Sequence, residues 1–397
     1  MSVHERVDLR RRLDRPAAQP FRHMPSLDGV RGIGILVVIF GHFSAGMSDW
    51  AKTRLFGLSL IIDLFFILSG FLITTLLLEE WSKSGTISMR NFYVRRGLRL
   101  LPALVVMLAF VAFLPLFTDL PAKRTFVEII TAMLYVYPAA IIYYHNKGGT
   151  FLDHLWTLSV EEWFYFGWPA LLSVIGLRPG TPRRLRLIVG LLSAFVVGCF
   201  VVRMIGSLDG ASRLIYALRP DSLFWGSLLA IFVRKLPDLR TPTVDRALSI
   251  IGPLGVVGFW YFSLAVYQHP AGLNDEEFHN LAFRSWNYRL GMLCAVIHIG
   301  HLVLAPKSPW GRLNSWRPLV YLGQISYALY LWHQVLFRLF TEHIDVQDQR
   351  TLANKWIVGL GVLAVTLTVA VASRRFVELP ALRLKKRFET VKPAVAR

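Results

Sequence analysis

Charge is what this 397-residue sequence has least of: Asp, Glu, Lys and Arg make up 17% of it, where soluble domains run near 25%. Carboxylates are the scarcer half, 25 against 44 Lys and Arg. Cysteine is almost missing. Cys199 and Cys294 both lie in apolar stretches, which points to neither a disulfide framework nor a zinc site. No GxSxG, Walker or HExxH pattern occurs, so serine-hydrolase, nucleotide-hydrolase and zinc-protease chemistry lose their support, and no metal is expected. There is no internal repeat of the kind that inverted-repeat transporters carry. The first 22 residues are basic and hold no apolar core, so no cleavable signal peptide is expected ahead of the first hydrophobic run. No recognition module accompanies the net charge of +19, and nucleic acid is not expected as a partner. Basic loops held against anionic lipid explain that charge better.

What is present is apolar: 54% of the residues and a mean hydropathy of +0.47. Long runs carry it, such as Leu55–Leu78, whose only charge is Asp63. A bilayer core about 30 Å thick calls for about 20 such residues per helix. A soluble enzyme is excluded, and so is an outer-membrane barrel built from about 10-residue alternating strands. The fold class is all-α, a polytopic membrane bundle. Ten spans are expected, near 29–47, 55–78, 98–118, 155–175, 187–205, 213–233, 246–267, 281–304, 319–340 and 356–373.

With the N-terminus inside, and with Arg99 and Arg246 counted at the mouths of their spans, the cytoplasmic segments hold thirty Lys and Arg and the outer loops seven. That bias places both termini in the cytoplasm of the inner membrane. Parity then makes the leftover segment Phe126–Tyr143 begin and end outside, as a re-entrant or interfacial helix; an eleventh span is the alternative. One membrane domain, 23–387, is expected between a disordered basic tail, 1–22, and a short tail, 388–397.

Charges inside spans are costly and mark functional candidates. At 1.5 Å per residue they sort by depth into two layers. Toward the outside lie His42, Asp63, Glu161, Glu162, Arg219, Asp221 and His333, with His154 at the mouth of its span. Such a layer suits general-base chemistry on a polar acceptor. Toward the cytoplasm lie Arg31, Arg95, Arg96 and Arg99, with no carboxylate adjacent in sequence, as an anion site or a positive-inside anchor. Arginine's planar fork suits phosphate. Each residue also has a plainer role open to it. His42 could be a packed histidine, and Asp63 and Glu161 could be structural partners of Arg219 or Arg289. His298 and His301 read as packing.

Seven motifs stand in order along the chain: Leu27-Asp28-Gly29-Val30-Arg31-Gly32 leading to His42; Asp63-Leu64-Phe65-Phe66-Ile67-Leu68-Ser69-Gly70; Arg95-Arg96-Gly97-Leu98-Arg99; His154-Leu155-Trp156 through Glu161-Glu162-Trp163-Phe164-Tyr165; Arg219-Pro220-Asp221; Ser326-Tyr327-Ala328-Leu329-Tyr330-Leu331-Trp332-His333; and Phe376-Val377-Glu378-Leu379-Pro380. In this order they resemble the acyltransferase-3 family of integral membrane acyltransferases, which acylate surface polysaccharides and some macrolides. The resemblance covers about 23 to 387. It implies an arginine-spacer-histidine motif at Arg31 and His42, an RxxR motif at Arg96 and Arg99, acyl-CoA taken as co-substrate from the cytoplasm, and an acceptor on the outer side. Trp163 stands where a glutamine is usual, and Gln334 follows Trp-His.

The implied function is transfer of an acyl group, acetyl first, from acyl-CoA to a hydroxyl of an extracytoplasmic carbohydrate or a glycosylated small molecule. No tightly bound cofactor is expected. His42, Glu161, Glu162 and Asp63 are the catalytic candidates, His42 as the base or as a transient acyl carrier, with His333 the alternative to it. Arg31, Arg95, Arg96 and Arg99 are candidates for the CoA phosphates, and Arg219, Asp221, Trp332, His333 and His154 for the acceptor. The competing reading is a transporter or flippase, which would also use intramembrane charge but needs no CoA-sized anion site.

Overall fold

The computed structural model describes residues 23–45, 60–139, 151–175, 182–205, 218–235, 242–265, 281–342 and 352–388. Every regular element in them is helical. The long helices are α1 (Pro25–Ala45), α2 (Leu60–Ser84), α3 (Met89–Phe113), α5 (Trp156–Ile175), α6 (Pro182–Ile205), α7 (Asp221–Lys235), α8 (Pro242–Ala265), α9 (Leu281–Leu304), α12 (Ser326–Glu342) and α13 (Leu352–Ser373). Between them come the short α4 (Ala122–Met133), α10 (Pro309–Asn314) and α11 (Arg317–Gln324), and α14 (Leu379–Lys385) follows a π turn at Arg374–Glu378. Proline opens α1, α6, α8 and α10, where its missing N–H removes no helical bond.

Among the described residues a long helix falls in each of the ten expected spans, though the ninth is interrupted. Five stretches among the described residues are long and apolar enough to cross a membrane: Pro25–Phe43, Leu60–Ser84, Met89–Leu116, Asn287–Leu304 and Ile357–Lys385. Arg186–Val202 and Ser249–Leu264 are shorter apolar helices. Large apolar side chains point outward on them, with Val257 and Ile357 each 67% exposed, as a lipid-facing surface requires.

Three boundaries differ from expectation, and each has a physical reason. The third helix begins at Met89, not at 98. Its polar first two turns were read as loop, so Arg95, Arg96 and Arg99 lie well inside the helix. The ninth span breaks at Ile325 into α11 and α12. The leftover segment gives only the 12-residue α4, ended where Tyr135 takes a left-handed φ of 56°. Twelve residues rise about 18 Å, short of a bilayer core. Residues 140–143 of that segment, residues 213–217 of the sixth span, the tail 1–22 and the second tail beyond Phe388 lie outside the described residues.

Packing follows three apolar clusters. One joins the C-terminal half of α1 to α3, α12 and α13 through Ile39, Met107, Leu329 and Val362. A second sets the N-terminal half of α1 against α2 and α9 through Val30, Ile67 and Met292. The third seats α5 and α6 on α2 through Phe164, Leu192 and Phe66. Helix α2, buried along fourteen residues, is the central post, as a helix apolar all round must be. Close approach fixes two crossings. A Cβ on Gly32 would sit 2.1 Å from the Leu319 carbonyl of α11, and one on Gly70 would sit 1.9 Å from the Leu223 carbonyl of α7. Only glycine fits there.

Candidate functional site

Helix α1 carries both ends of the candidate site. Arg31 and His42 are eleven residues apart, three turns plus about 20°, so they share one face roughly 16 Å apart in depth. Helices α3 and α5 supply what surrounds Arg31. Arg96 and Arg99 lie one turn apart on α3, and Arg99 has Arg31 and Arg96 as cationic neighbours. The Arg96 guanidinium lies over the Tyr165 ring at 3.6 Å and stands 4.0 Å from Glu162. Glu161 accepts hydrogen bonds from Ser69 Oγ (3.1 Å) and Tyr165 Oη (3.0 Å), which ties α2 to α5. Arg96 Nε and Glu162 Oε1 are buried without a hydrogen-bond partner among the described residues. A stacked guanidinium whose Nε–H has no acceptor is chemically suited to an anion.

The expected separation of arginines from carboxylates therefore does not hold. Glu161 and Glu162 belong to the arginine group, because α3 starts earlier and lifts Arg96 to their depth. Arg95 does not belong to it. Its guanidinium donates to Glu80 Oε2 at 2.9 Å and to the Phe388 carbonyl at 2.8 Å. Glu80 was overlooked because it precedes Arg95 by fifteen residues and reaches it only through the α2–α3 turn. Glu378 joins from the C-terminal π turn, in the field of Arg99 and Arg31.

Toward the other end of α1 three imidazoles meet. The His42 and His333 ring centroids are 5.0 Å apart and those of His333 and His154 are 5.2 Å apart, both pairs edge to face. His42 is the exposed member, while His154 and His333 are buried. Nδ1 of His42 lies 2.9 Å from the Val38 carbonyl. A carbonyl only accepts, so Nδ1 carries the proton and Nε2 the lone pair. Tyr330 leads from this group toward the arginines: its hydroxyl is 2.8 Å from Thr157 Oγ1 and donates to the His154 carbonyl, and Glu161 acts on it electrostatically. Trp332 packs on Phe110 at 5.3 Å with its Nε1 buried and unpartnered among the described residues.

The structure puts Asp63, Arg219 and Asp221 in a third place. Asp63 is fully buried and accepts from Arg219 (2.8 Å), Ser222 Oγ (2.6 Å) and Tyr288 Oη (2.6 Å). Asp221 pairs with Arg289. Asp63 was expected beside the catalytic histidine because both lie in outer halves of spans. The bundle instead turns it toward α7 and α9, where three donors occupy it. Arg219 reaches it from a left-handed φ of 47°, a strained conformation for a non-glycine residue. His298 and His301 are held by Trp310 (3.2 Å) and Ser308 (3.0 Å).

Sequence reasoning missed Tyr165, Tyr330, Ser69 and Glu378 as site members, although all four stand inside the motifs. Tyrosine hydroxyls beside paired carboxylates were the available signal. The Acyltransferase domain model matches residues 24–375, a stretch that holds all three groups apart from the Glu378 edge. The chain is 32% identical over 379 residues to the peptidoglycan O-acetyltransferase OatA of Listeria monocytogenes, covering 90% of this chain and 56% of that protein. It is 32% identical over 382 residues to YrhL of Bacillus subtilis, covering 91% of this chain and 55% of that one. The chain thus spans about half the length of these curated relatives.

Proposed function

Because this chain belongs to the acyltransferase family whose domain model it matches, we propose that it is a multi-pass O-acetyltransferase of the inner membrane. It takes acyl-CoA at the cytoplasmic mouth and delivers the acyl group to a hydroxyl outside. OatA is named for peptidoglycan, so a cell-wall glycan is the first acceptor to test, ahead of a glycosylated small molecule. Ten crossings with both termini inside remain the topology that fits the thirty-to-seven bias.

One observation carries the reading: a guanidinium cluster and an imidazole cluster occupy the two ends of one helix face, with carboxylates and tyrosines between them. The thioester is already activated, so the protein must anchor the CoA phosphates and supply a base. Arg31, Arg96 and Arg99 suit the first task. His42 suits the second, being exposed with Nε2 unprotonated. CoA's pantetheine arm is about as long as the roughly 16 Å rise from Arg31 to His42, so the acyl carbonyl reaches the histidines while the phosphates stay with the arginines. His42 takes the hydroxyl proton, the oxygen attacks the carbonyl, the C–S bond breaks, and the thiolate recovers the proton. Glu162 and the unpartnered edge of Arg96 line the way.

The test is purified protein with radiolabelled acetyl-CoA and a wall glycan. CoA release that depends on the acceptor, with label on the glycan, supports the reading. Intact acetyl-CoA with every acceptor offered, from a folded protein, would end it.

A further inference from the structure

His333 is buried on α12 with a ring 5.0 Å from that of His42. Its Nδ1 lies 2.8 Å from the Tyr330 carbonyl and 3.2 Å from the Leu329 carbonyl. Carbonyls only accept, so Nδ1 bears the proton and Nε2 the lone pair. That Nε2 is buried without a hydrogen-bond partner among the described residues. An unmet buried acceptor is destabilising, and native interiors seldom keep one without a use. His42 has the same tautomer, set by the Val38 carbonyl. Both rings therefore carry their proton on Nδ1, so neither Nε2 can donate until a proton arrives.

We propose that His333 is the positioning residue for the catalytic base: its Nε2 accepts a hydrogen bond from Nε2–H of His42 once His42 has taken the proton of the acceptor hydroxyl. The inference rests on the acyltransferase reading above. The O–H bond of the acceptor breaks and an N–H bond forms at His42 Nε2. The electron pair stays on oxygen and attacks the acyl carbon, and the thiolate that leaves takes the same proton from His42. His333 changes charge at no step; it holds the imidazolium in place while the charge exists. The other charged and titratable groups acting on His42 are Arg338 on α12, Asp153 and His154. Arg338 and Asp153 are bonded to each other at 3.0 Å, and of the two buried imidazoles it is His333 whose ring packs edge to face on His42. His154, 5.2 Å behind His333, backs the second ring.

Two near-isosteric substitutions separate this role from packing. In His333→Gln the side-chain carbonyl can stand where Nε2 stood, keeping an acceptor. In His333→Asn the amide can still donate to the Tyr330 carbonyl, but no acceptor reaches His42. With acetyl-CoA and a working acceptor, kcat should fall at least tenfold further in His333→Asn than in His333→Gln. KM for acetyl-CoA should be unchanged in both, since the CoA anchor lies at the other end of α1. Both variants must show the monodisperse elution and thermal transition of the parent in detergent. Equal rates for the two folded variants, or a rise in KM that accounts for the loss, would overturn the proposal. A parent protein that never consumes acetyl-CoA would instead overturn the acyltransferase reading and is seen in the same assay before any variant is made.

Discussion

Single side chains divide by what their neighbours leave free. His42 has one nitrogen tied to Val38 and the other bare, so His42→Ala should lower turnover by roughly 10²–10⁴-fold, the usual worth of a general base, while the protein still inserts and folds. Near-normal turnover in well-expressed His42→Ala would remove it from the chemistry. Arg99→Lys keeps charge but loses the bidentate fork, so KM for acyl-CoA should rise several-fold with kcat little changed, as a titration of initial rate against acyl-CoA would read. An unchanged KM in both Arg96→Ala and Arg99→Ala would make the cluster a topology anchor only. Asp63 is the opposite case, with every donor around it engaged. Asp63→Ala strands the Arg219 charge and should cost about 3–5 kcal/mol of stability. Adding Arg219→Met should return much of it, since replacing a buried pair by apolar groups is far milder than breaking one. Thermal unfolding of the single and double variants in detergent decides this, and no recovery in the double would contradict a structural role.

At the scale of elements, runs of apolar residues sufficed to find ten helices, because a chain in lipid must satisfy its own backbone and helix is the way to do so. The ends were harder to read. Helix α3 gains its first turns from Glu80, which accepts both the Ser88 N–H at 2.9 Å and an Arg95 bond; composition around Arg90 to Arg96 says loop, and only the folded turn says helix. The break at Ile325 was equally hidden, since Leu322, Ile325 and Leu329 continue one apolar pattern across it. The histidine group was half legible. Depth placed His42, His154 and His333 in one layer, but layer is not azimuth, and the same logic misplaced Asp63. Helix crossings supply that missing angle, and the small residues that set them are testable. Gly32→Ala drives a methyl to 2.1 Å from the Leu319 carbonyl, backbone that cannot swing aside. Overpacking of this kind costs typically 1–3 kcal/mol, so a lower thermal transition is expected, with activity lost in proportion to the displaced Arg31. Full stability and activity in Gly32→Ala would mean α1 and α11 separate freely.

For the whole molecule, the arrangement is a post of buried helices with a cation cluster at one depth and an imidazole cluster about 16 Å away along α1. On the proposed reading the thirty-to-seven charge bias points the arginine end to the cytoplasm, donor and acceptor would meet the protein from opposite sides, and only the acyl group would cross. Sealed inside-out vesicles, with acceptor trapped in the lumen and labelled acyl-CoA added outside, test this most directly. The account predicts label on the lumenal acceptor while CoA stays outside, and none with His42→Ala. Label confined to acceptors added on the same side as acyl-CoA would contradict it.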